Sequence, residues 1–148
     1  MRSSLYGGLV FVAILSVGLV ALGCGGGEDH LTKAEFLQQG NAVCKKGNDQ
    51  IDKAGKQLFG NKKKPSKADL NKFANDTLIP VVQTEIDGIR DLNPPSADED
   101  QVNAIVDEAE AALDKGKADT TLLTENSSDP FKKANQLAND YGLTECGG

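Results

Sequence analysis

The chain has 148 residues, 39% hydrophobic and 5% aromatic, with 16 Lys and Arg against 22 Asp and Glu for a net charge of −6. That length supports one domain. The acidic balance argues against a general nucleic-acid binder, whose phosphate contacts need surplus Lys and Arg, and the single His excludes multi-His metal sites.

The amino end reads as an export signal. Arg2 gives a short positive start, and residues 5–22 are uncharged and apolar apart from Gly and Ser. The boundary Ala21-Leu22-Gly23-Cys24 resembles the lipobox of bacterial lipoproteins. That family usually has Leu and then a small residue where this chain has Ala21 and then Leu22. In the family the Cys takes a diacylglycerol and the signal is cut just before it. The resemblance implies a signal peptide over residues 1–23, lipid (palmitate among its chains) on Cys24, and a protein anchored at the extracytoplasmic face of the cell membrane. The alternative is an uncleaved membrane helix, for which residues 5–22 lie near the minimum span. Both readings place residues 25–148 outside the cytoplasm.

Residues 24–31 then form a Gly-rich tether that ends near His30, a solvated side chain, and reaches about 20 Å at most. Removing the signal takes away Arg2 alone and moves the charge from −6 to −7. Anionic headgroups repel such a domain and favour holding it off the surface.

Residues 32–148 read as a helical domain. Thr32 to Glu35 is a capping box, followed by an apolar stripe of Phe36, Val43, Ile51, Ala54 and Leu58 at helical spacing. Gly40 and Gly47 fall on that side, where another helix can approach closely. The first helix is expected to stop near Phe59-Gly60, followed by a basic turn through Lys62, Lys63 and Lys64. Ser66 to Asp69 is the next cap, and Leu70, Phe73, Leu78, Val82, Ile86 and Ile89 continue the stripe. Pro80 lies inside this pattern, so a kink or break is expected there.

Ser96 to Glu99 reads as a third capping signature, with Gly116 as the stop of the helix it opens and an irregular stretch over 117–128. In that stretch Leu122 and Leu123 pin the chain to the core. Asp129 caps a short last helix with Pro130 at its first position, and Gly142 is a left-handed stop. The expected fold is all-α. It is an antiparallel four-helix bundle with a kinked second helix and a short fourth.

Lipidation of Cys24 leaves Cys44 and Cys146, which should oxidise to a disulfide outside the cytoplasm. The bridge would tie the tail at 143–146 to the middle of the first helix. Two free thiols are the alternative. Phe36 with Asn41 to Cys44, and Tyr141 to Leu143 with Cys146, resemble the ends of uncharacterised small helical actinobacterial lipoproteins. That resemblance implies an exported, disulfide-closed helical domain and carries no activity.

The sequence has no H-E-x-x-H, nucleophile elbow, Walker loop or haem motif, so no catalytic residue, cofactor or metal site is expected. Asp98, Glu99 and Asp100 suit the amino end of a helix. Asp107, Glu110 and Asp114 share a face and read as solvated. Lys62, Lys63, Lys64, Lys67 and Lys72 form a basic cluster suited to solubility.

The leading reading is a membrane-tethered, non-catalytic binding or scaffolding module that engages an envelope protein partner. The alternative is a carrier with a ligand pocket inside the bundle. An enzyme is the third. An exposed apolar patch would favour the first, a closed apolar cavity with one or two inward polar groups the second, and two inward carboxylates together the third. Oligomeric state is not set by the sequence.

Overall fold

The computed structural model describes residues 30–60, 64–124 and 129–148. The expected signal (1–23), Cys24, the Gly run at 25–27, and Lys62 and Lys63 lie outside the described residues. Helix α1 spans Lys33–Phe59. Its start is fixed by a closed local exchange. The Glu35 amide donates to Thr32 Oγ1 at 3.3 Å and the Thr32 amide donates to Glu35 Oε2 at 2.9 Å. The Thr32 hydroxyl, at 2.7 Å, and then the Thr32 amide donate to the Glu35 carboxylate and hold it below the usual carboxylate range. Phe36, Gly40, Cys44 and Gly47 form the buried line of α1, one turn apart.

The next helical run is α2 (Lys67–Phe73), a π-helical turn (Ala74–Leu78) and α3 (Ile79–Arg90). Ser66 and Asp69 close the expected capping box at the start of α2. Where a kink or break is expected at Pro80, the helical run does not break. The run continues through a π turn, in which the Ile79 amide donates to the Ala74 carbonyl five residues back. Pro80 falls in the first turn of α3, directly after the π turn.

Helix α4 (Glu99–Ala118) departs from expectation at both ends. Residues 96–98 form a turn, and Asp98, at the cap position, makes no side-chain capping bond. Its carboxylate instead accepts from the Tyr141 hydroxyl at 2.9 Å and pairs with Lys33. Gly116 is not the stop. The helix runs on through it, and Leu123 from α5 (Thr121–Thr124) lies so close that a methyl group at Gly116 would meet Leu123 Cδ2 at 2.5 Å. The stretch expected to be irregular thus contains the end of α4, a turn closed by Asp119 Oδ1 accepting from the Thr121 amide, and α5. Helix α6 (Lys132–Tyr141) begins just after Asp129, whose carboxylate accepts the Phe131 amide at 2.9 Å. It ends at Gly142, φ 110°, with the Leu143 amide donating to Ala138 and the Gly142 amide to Asn139.

The described residues contain no strand. Helix α1 packs on α3, α3 on α4, and α4 on α6. Across each seam residue numbers rise on one helix as they fall on the other: Gly40 faces Ile89 and Gly47 faces Glu85, Arg90 meets Glu110 and Gln83 meets Lys117, and Glu108 meets Lys133 and Asp98 meets Tyr141. The tail then returns to α1. Cys44 and Cys146 form a disulfide across 102 residues, and Leu143 is fully buried over Gly40. Asn41 accepts the Glu145 amide and donates to the Gly142 carbonyl, while Asn48 donates to the Glu145 carbonyl. The amino-terminal segment also docks: the Leu31 amide donates to Asn93, and His30 Nδ1 lies 2.7 Å from the Pro94 carbonyl oxygen. His30 therefore belongs to the folded domain and not to a solvated tether. No described helix is long and apolar enough to cross a membrane.

Candidate functional site

Helices α1, α3, α4 and α6 do not close completely on one another. Between them lies a cavity of about 230 Å³. Its walls follow from the stripes: Ile51 from α1, Val82, Ile86 and Ile89 from α3, Ile105, Val106 and Ala109 from α4, and Ala134 and Ala138 from α6. Leu143 and the Cys44–Cys146 bridge line it as well, so the carboxyl-terminal tail forms part of the enclosure.

One ionisable group breaks this apolar surface from α3. Glu85 sits three residues after Val82 and four before Ile89, on the inward side of its helix. Its carboxylate rests on α1 at Gly47, where any larger side chain would overlap it. Oε1 is buried and receives no hydrogen bond. Burial pushes the carboxyl up to about 7, because a low-dielectric site disfavours the charged form. Glu85 is not among the residues that the sequence motifs single out. The signal that marks it is an acidic residue in register with Val82, Ile86 and Ile89.

Tyr141 anchors the opposite end of the core. It meets Phe36 edge-to-face at 5.9 Å between centroids, lies under the Lys33 ammonium at 4.2 Å, and donates to Asp98. Burial first, and then Asp98, raises its hydroxyl to about 12.

The other sequence candidates do not assemble into a site. Glu110 pairs with Arg90 and Asp114 with Lys117, and Asp107 is exposed. Lys72 pairs with Asp76, and Lys64 and Lys67 are exposed. Among the described residues no three His, Cys, Asp or Glu side chains converge to hold a metal ion. A shallow apolar groove lies at the far end of α1, where Phe59, 46% exposed, meets Phe73 edge-to-face beside Gly55. No known family model, curated protein or solved structure matches the chain.

Proposed function

We propose that the protein is a non-catalytic lipoprotein of the extracytoplasmic membrane face, anchored through lipid on Cys24. In this reading its long helices form an antiparallel four-helix bundle that carries a small ligand in the cavity between them. The observation that carries the reading is the cavity itself, walled mainly by aliphatic side chains with Glu85, Asp129, Asn48 and Asn135 as its polar members. Apolar walls left facing water cost about 25 cal/mol per Å², and a buried carboxylate oxygen without a partner adds to that. A molecule that fills the space offsets both terms. The envelope location rests on the signal and lipobox pattern.

A second reading, a scaffold that engages an envelope protein, is favoured by exposed Phe59 and the groove beside it. The two separate in one experiment. With isoleucine methyls labelled in the full chain, in lipid nanodiscs, ethylbenzene should shift Ile86, Ile89 and Ile105 saturably and leave Ile79 in place. Ala109→Phe, which fills the cavity, should abolish the response. Shifts confined to the Phe59 end would support the scaffold instead.

A further inference from the structure

We propose that the molecule carried in the cavity is a small apolar amine, with Glu85 as the partner of its ammonium group. The proposal rests on the carrier reading above and adds the chemistry of the head group.

Among the described residues lining the cavity, the ionisable side chains are Glu85 and Asp129, and no Lys, Arg or His lines it. Several basic side chains of the adjoining helices are committed elsewhere. Arg90 pairs with Asp87 and Glu110. Lys117 bonds Gln83 and Asp114. Lys45 pairs with Asp49 and Lys133 with Glu108. No basic side chain among the described residues lines the cavity beside Glu85, so an ammonium brought by a ligand is the counter-charge this proposal assigns to it.

The three head-group classes differ in how they meet that surface. A carboxylate or phosphate would face two acids with no counter-charge. A hydroxyl donates one hydrogen bond but leaves the charge unpaired. An ammonium does both, in a charge-assisted hydrogen bond of about twice the ordinary strength. Gly47 supports the same assignment, since its bare backbone is what lets a carboxylate stand at this point between α1 and α3.

Size narrows the class further. An engineered cavity of about 150 Å³ takes benzene. In proportion, about 230 Å³ suits about nine non-hydrogen atoms. That describes an aryl- or short alkylamine.

The test uses the full-length chain in phosphatidylcholine nanodiscs at pH 8, with empty discs as blank and isoleucine methyl shifts as readout. Four probes share one skeleton: phenethylamine, 2-phenylethanol, ethylbenzene and phenylacetate. Phenethylamine should bind at least tenfold more tightly than the other three. Glu85→Gln, which removes a half-buried charge and should keep the helical circular dichroism of the wild type, should erase that preference. Asp129→Asn should reduce the preference by less than Glu85→Gln does. Equal binding of amine and alcohol, or a preference that survives in Glu85→Gln, overturns the amine assignment and leaves the carrier reading standing. If no probe moves the methyls, the carrier reading fails and the amine assignment with it.

Discussion

Replacing Glu85 with Gln should make the protein more stable at pH 8. A carboxyl that loses its proton near 7 in the folded protein and near 4.5 in the unfolded chain holds that proton more tightly when folded. Stability is then greatest below pH 4.5, falls as pH rises through the interval from 4.5 to 7, and is flat above it. The full displacement corresponds to about 3 kcal/mol. Glu85 is only half-buried, and solvent screens part of this, so about 1–2 kcal/mol is the expected effect. For a domain of this size that is about 4–8 °C in Tm. Thermal unfolding of wild type and Glu85→Gln, followed by circular dichroism at pH 4 and pH 8, measures it. The variant should gain about 4–8 °C at pH 8 and nothing at pH 4. Equal midpoints at both pH values would refute the reasoning and mean that the carboxylate has a partner.

Gly47→Ala should push the flexible Glu85 side chain off α1 and bring its carboxyl back toward the usual carboxylate range, at little net cost because the gain of about 1 kcal/mol in helix propensity offsets the shift; titration of Glu85 by NMR and chemical denaturation check it. Cys44→Ser should remove about 2–4 kcal/mol from the oxidised protein, given the long loop the bridge closes, and reductant should have no further effect on the variant. Ultraviolet titration should place Tyr141 near 12, and Asp98→Asn should lower it. The protonated hydroxyl is the form the fold favours, so Tyr141 loses its contribution only as pH rises from 10 to 12. Cys24→Ala should move the protein from the membrane to the soluble fraction; continued membrane association would point to an uncleaved helix.

What the sequence made legible was local. The boxes at Thr32–Glu35 and Ser66–Asp69, the Asp129 carboxylate and the left-handed Gly142 each complete their hydrogen bonds within a few residues. Distant partners decided the rest. Ser96 to Glu99 carries a capping pattern, yet the Asp98 carboxylate is drawn to Tyr141, 43 residues away. Gly116 looks like a stop because glycine often is one, but here it makes room for Leu123. Pro80 disrupts an α-helical pattern, and a π turn just ahead of it absorbs the disruption, which periodicity alone does not show. His30 looks like tether until the loop after α3 presents the Pro94 carbonyl to it. Gly47 was legible as a point of close approach, but not that a carboxylate approaches it. Glu85 needed the register of α3 against α1, which only the folded packing supplies.

The most direct test of the carrier account is a native mass spectrum of the protein released gently from its own cell membranes. The account predicts a chain that begins at Cys24, carries lipid and lacks the two hydrogens of the Cys44–Cys146 bridge. It also predicts an added mass of about 100–150 Da, set by the cavity volume, that is missing from Ala109→Phe. A spectrum of wild type with no added mass, identical in that respect to the variant, would contradict it.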